Sequence, residues 1–131
     1  MEKSINGYTP TQLRERAIVE KDILSKINTH FKRNFIKSKN RYATFDGVDG
    51  EYLVEMKTRQ VTKNQYPDTL IGANKIKKLK ENNKLLCVFR FIDGDFYYWW
   101  NENDNNFVTE CGLRENPRPH HHIATSLLQS F

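Results

Sequence analysis

The sequence predicts an α/β or α+β sandwich, and three observations carry that expectation. A long capped amphipathic helix opens the chain, two short strands follow around an Asp-Gly turn, and a nearly continuous apolar strand comes later. The helix starts at Thr9-Pro10-Thr11-Gln12, where a threonine N-cap, a proline at the first helical position and a glutamine three residues after the cap form a capping box. Its apolar stripe, Leu13, Ala17, Leu24, Ile27, Phe31 and Phe35, falls within one arc at about 100° per residue and predicts helix to about Lys37. Glu20 sits at the centre of that stripe, either as a functional acid or as an edge residue paired with Arg16.

Residues 41–46 and 51–57 are rich in strand formers, and Asp49-Gly50 between them is a two-residue hairpin signal. That turn pairs Val48 with Glu51 and Asp46 with Leu53. Asp46, Glu55 and Lys57 then share one face, with Asp46 diagonal to Glu55. A turn at Asp46-Gly47 is the alternative. A loop over 58–67 leads to a second helix over about 68–82, which buries Ala73, Ile76 and Leu79 and exposes Lys75, Lys77, Lys78 and Lys80. Lys84–Ile92 reads as a strand covered on both faces, and Asp93-Gly94 turns into a strand over 95–100. A short strand is expected near 106–109, and 123–128 reads as strand or helical turn.

Composition bounds the function. The chain has 131 residues, enough for one domain that folds without disulfides or structural metal. We divide it into a core of about 11–100 and a C-terminal extension, 101–131. There is no apolar run of membrane-spanning length and no apolar signal segment, and Cys87 and Cys111 form no CxxC, so a cytoplasmic setting without membrane association is expected. The net charge of +5 is uneven. Residues 11–41 hold nine basic and three acidic side chains and residues 57–90 hold nine and two, whereas 42–56 hold four acids and no base. Basic flanks attract polyanions, and an acidic cluster nested between them repels polyanions unless it holds cations.

The chemistry lies in that acidic segment. Two or three carboxylates around one point repel, and a divalent cation is the simplest way to keep them ionised. Oxygen ligands favour Mg²⁺ or Mn²⁺ over Zn²⁺. Such an ion beside Lys57 can cleave a phosphodiester, because the metal activates water and the ammonium orients it or offsets charge in the transition state. Phe96–Trp100 reads as core plus a dimer face rather than a base-stacking platform. His120, His121 and His122 have no partner at zinc-ligand spacing.

Asp46, eight intervening residues, then Glu55-Met56-Lys57, with Glu20 on the first helix and a helix–hairpin–helix–strand order, resembles the PD-(D/E)XK nuclease superfamily. Phe45 stands where the family's motif has proline. The resemblance spans about residues 11–100. It implies a restriction-endonuclease-like core with both helices on a central mixed β-sheet. It implies Mg²⁺, with Mn²⁺ as a substitute, held by Asp46, Glu55, the Met56 carbonyl and Glu20, and a catalytic Lys57. DNA is the implied partner, with phosphate contacts expected at Lys75, Lys78, Arg59 and Gln65; a solvated helix face is the alternative for the lysines. The implied activity is DNA hydrolysis in repair, recombination or phage DNA processing, in a bacterial or phage-infected cell and with a homodimer as the assembly. The alternative function is an inactive nuclease-fold module that binds nucleic acid or protein.

Overall fold

The computed structural model describes residues 9–39, 43–104, 106–111 and 118–131. It is a mixed α+β fold with two helices and two sheets among those residues. Helix α1, Pro10–Phe31, starts with the expected box: the Gln12 N–H donates to Thr9 Oγ1 at 3.2 Å and the Thr9 N–H to Gln12 Oε1 at 2.9 Å. It ends before Lys37, at Lys32, whose left-handed backbone (φ 54°) breaks the helical path. The Asn28 amide then takes over: it accepts from the Phe35 N–H at 2.7 Å and donates to the Phe35 carbonyl at 3.0 Å. Phe35 therefore stays in the apolar stripe although it has left the helix.

Strands β1 (Ile36–Lys37), β2 (Gly47–Asp49), β3 (Tyr52–Thr58), β5 (Lys84–Phe91), β6 (Gly94–Trp99) and β9 (Gln129–Ser130) form one sheet in the order β1-β2-β3-β5-β6-β9. The β3–β5 pair is parallel and the others are antiparallel, so the sheet is mixed. The second sheet is antiparallel, in the order β4 (Asp68–Gly72), β8 (Arg118–Ala124), β7 (Val108–Cys111). α1 covers one face of the large sheet, where Ile23, Ile27 and Phe35 pack on Val54, Met56, Leu86 and Val88. The small sheet and helix α2 (Ala73–Lys77) cover the other, where Ile71 and Ile123 meet Leu85, Cys87 and Phe89. β5 lies between both layers, which is why Leu85 to Phe89 are all buried and the strand reads as nearly continuous apolar sequence. Cys87 is wholly buried there, and burial pushes its thiol pKa upward.

Three expectations are corrected. The helix over 68–82 is instead β4 followed by five residues of α2. Thr69 and Ile71 are strand formers that bury alternately against β8, and Gly72 ends that strand. Ala73, Ile76 and Leu79 still face the core as expected. The first hairpin strand is β2, later than 41–46; residues 40–42 lie outside the described ones, and 43–46 are not in a strand. The hairpin loop is Gly50-Glu51, with Gly50 at φ +60°, so Val48 pairs with Leu53 rather than Glu51. A glycine at positive φ in the first loop position is what a tight primed turn requires. Described residues of the C-terminal extension supply β7 and β8 of the small sheet and β9 of the large one, and they bury Ile123 and Leu128. Among the described residues no helix is long and apolar enough to cross a membrane.

Candidate active site

The hairpin slip is by two residues, and two is the period of a strand, so every side chain keeps its face. The slip moves Asp46 from diagonal to directly opposite Glu55, one step beyond the Gly47–Val54 pair. Backbone and side chain both fix Asp46 there. Its N–H donates to the Val54 carbonyl at 3.0 Å, and its Oδ2 accepts from the Met56 N–H at 2.7 Å. Gly47 permits this approach, because a Cβ at that position would lie 2.8 Å from Val54 Cγ1 and 3.0 Å from the Ile36 carbonyl oxygen. Met56 thus meets the site through its N–H, while its side chain packs under α1.

Glu55 is 1% exposed and shares a hydrogen bond with Asp46. Burial, then that bond and the Asp46 charge, push its pKa up to about 8 against the pull of Lys75 and Lys57. Burial also works to raise Asp46, but the bonds from Glu55 and Met56 and the charges of Lys75 and Lys57 outweigh it and hold Asp46 below its ordinary value. Of the two facing carboxyls, Glu55 is therefore the harder to ionise, and the Lys75 charge opposes that tendency. Lys75 of α2 pairs with Glu55 Oε2, a buried oxygen for which no other donor is found among the described residues. Lys75 was expected on the solvent face with its neighbouring lysines; it turns inward instead.

Lys57 follows on the same face. Burial lowers its pKa first, with Lys75 and Arg59 adding to the effect and Glu55 and Asp46 opposing it. It stands at the meeting of two clefts. One, about 410 Å³, lies toward α1 and includes Arg16, Glu20, Thr58 and Arg59 in its walls. The other, about 300 Å³, lies toward the small sheet and includes Arg59, Asn74, Lys75, Arg118 and His120. Arg59, a minor candidate in the sequence, is central to both, anchored by its Nη2 donating to the Leu70 carbonyl at 2.8 Å.

Glu20 is buried, as its place in the stripe implied, but it does not join the acid pair. α1 covers the face that carries Val54 and Met56, whereas Glu55 and Lys57 point to the other side of β3. Glu20 is instead tied to Arg16 Nε at 3.0 Å and Lys37 Nζ at 3.3 Å. Among the described residues no three His, Cys, Asp or Glu side chains come together as a metal-holding group. Gln65 and Lys78 are exposed and line neither cleft. Asn74 and Arg118 were missed, and His120 had been weighed only as a zinc ligand. The sequence carried one signal for the last two: residues two apart on a strand share a face, so Arg118 and His120 belong together. His121 instead packs edge-on against Trp100 at 4.9 Å, and His122 stacks on Phe107 at 4.3 Å and meets Asp68 Oδ2 at 3.2 Å.

A divalent cation fits the donor set at the dyad. Two carboxylates lie side by side, and one of their buried oxygens has no donor besides the Lys75 ammonium among the described residues. Two protein carboxylates with water completing the shell is the usual manner of Mg²⁺. The chain matches no protein-family model, no curated protein and no solved structure.

Proposed function

We propose that this chain is a metal-dependent nuclease that hydrolyses DNA phosphodiester bonds on a restriction-endonuclease-like core. The observation that carries the reading is the Asp46–Glu55 dyad with Lys57 beside it on β3. Nothing in packing calls for two acids face to face in a buried site, and such a cost is commonly kept for function. The order α1, β2–β3 hairpin, then β5 parallel to β3 is in keeping with that core. Its crossover differs from the expected one, since it runs through β4 and a five-residue helix.

In this reading Asp46, clamped by the Met56 N–H, and Glu55 hold the cation, Mg²⁺ or in its place Mn²⁺. When bound, the cation lowers the pKa of a water and offsets charge on the phosphate. Lys57, at the opening of both clefts, orients that water and neutralises charge developing on the phosphate. Arg59 and Lys75 line the path of the DNA backbone, and Glu20 holds the α1 wall through Arg16 and Lys37. Repair, recombination or phage DNA processing, a homodimer and the cytoplasm of a bacterial or phage-infected cell complete the reading, and these rest on the resemblance alone.

A second reading, a nuclease-fold module that binds nucleic acid or protein with idle acids, draws on Lys75, which already neutralises Glu55. Incubation with plasmid, linear and branched DNA in Mg²⁺, Mn²⁺ or EDTA separates the two. Cleavage that needs the cation and is lost in Lys57→Ala is the expected result. Binding without cleavage in any cation favours the second reading.

A further inference from the structure

We propose that Lys75 is a displaceable counter-ion, which couples divalent-cation binding at Asp46–Glu55 to polyanion binding in the cleft toward the small sheet. The inference rests on the nuclease reading for the cation and goes beyond it in giving Lys75 two alternating partners.

Three observations carry it. First, Lys75 occupies the one place where Glu55 needs a positive charge. Its ammonium sits on Oε2, an oxygen that is buried and otherwise has no donor. Second, it stands between Glu55 and solvent. Glu55 lines neither cleft beside Lys57, whereas Lys75 is about a third exposed and forms part of the wall of one of them. Third, that cleft is built for an anion. Lys57, Arg59, Lys75, Arg118 and His120 surround about 300 Å³, and among the described residues no Asp or Glu lines it. A flexible four-carbon stem lets an ammonium swing between a carboxylate and a phosphate.

A cation at the dyad and an ammonium on Glu55 Oε2 repel and compete for the same oxygen. Lys75 must therefore leave Glu55 when the cation binds. Once released it faces the cleft, where it adds a fourth full positive charge to those of Lys57, Arg59 and Arg118. Each ligand then favours the state that suits the other, and linkage makes the effect reciprocal: DNA tightens cation binding by the same factor as the cation tightens DNA binding. The arrangement keeps the acid pair neutralised until both cation and substrate are present.

Calorimetric titration of wild type, Lys75→Met and Lys75→Arg with Mg²⁺, without DNA, tests the displacement. Lys75→Met keeps the stem and removes the charge, so it should bind Mg²⁺ about tenfold tighter than wild type. Lys75→Arg grips a carboxylate more firmly and should bind no tighter than wild type. Fluorescence anisotropy with a short phosphorothioate duplex, which resists cleavage, tests the coupling. Mg²⁺ should tighten duplex binding severalfold more in wild type than in Lys75→Met. Far-UV circular dichroism establishes that each variant is folded. A folded Lys75→Met that binds Mg²⁺ as wild type or more weakly overturns the proposal, and so does equal coupling in the two proteins. Those failures leave wild-type cleavage intact and so spare the nuclease reading. Coupled binding in a wild type that cleaves nothing overturns the nuclease reading and supports this proposal.

Discussion

Two clusters of acids and cations sit on opposite faces of the same sheet, and they are built in opposite ways. On the α1 face, Arg90 donates to Asp95 from Nε at 2.7 Å and from Nη2 at 2.8 Å, and Lys26 reaches the same carboxylate at 2.7 Å. Asp22 of α1 pairs with Arg90 as well. Every charge there meets an opposite one. The bond to Arg90 is the main cause that lowers the Asp95 pKa, and the bond to Asp95 raises that of Arg90. On the other face, Glu55 confronts Asp46 and is driven up to about 8, while Lys57 is driven down by burial and by its basic neighbours. The first cluster fastens α1 to β5 and β6. The second keeps groups in states that cost stability, a cost that the proposed cation would offset.

The largest expected effect lies at the second cluster. Lys57→Ala should lower cleavage by about 100- to 1,000-fold, the scale of losing one aligned electrostatic donor. Its Mg²⁺ affinity, measured by calorimetry, should stay near wild type. Next comes the paired cluster. Asp95→Asn should destabilise the fold by about 1–3 kcal/mol in urea unfolding, because it leaves Arg90 and Lys26 without their shared carboxylate. Its cleavage per folded molecule should stay unchanged.

The pH dependence of metal-free stability distinguishes the clusters further. Glu55 binds its proton more tightly folded than unfolded, so its contribution is fully present below its ordinary value of 4.5 and is lost as pH rises toward about 8. Asp46 acts oppositely, contributing above its ordinary value of 3.8 and losing that contribution as pH falls. The Tm in EDTA should therefore decline between about pH 5 and 8, and Glu55→Gln should remove most of the decline. The smallest effect is expected at Glu20. Glu20→Gln should keep activity within about twofold and cost less than about 1 kcal/mol, since it loses only the partly exposed pairs with Arg16 and Lys37.

The sequence made the α1 cap, the apolar β5 strand and the shared face of Asp46, Glu55 and Lys57 legible, because each follows from local periodicity or spacing. The face survived an error in register because the slip was even. The β4 strand was hidden because Ala73, Ile76 and Leu79 repeat at helical spacing, and that pattern extended the predicted helix back over Thr69–Gly72. Its partner, β8, lies 48 to 56 residues away, a pairing that no local pattern reveals. The same blindness misplaced Glu20. The stripe showed that it was buried, but not which face of the sheet α1 would cover. Lys75 looked solvated for a like reason, since only the short turn of α2 aims it at Glu55.

Thermal unfolding of wild type and Glu55→Gln side by side, in EDTA and in Mg²⁺, tests the central claim most directly, namely that the Asp46–Glu55 pair sacrifices stability in order to bind a cation. At about pH 9, above the raised Glu55 value of about 8, the variant should melt higher than wild type in EDTA. Mg²⁺ should raise the wild-type Tm and leave that of the variant nearly unmoved. A variant that melts lower than wild type in EDTA and gains as much from Mg²⁺ would contradict the account.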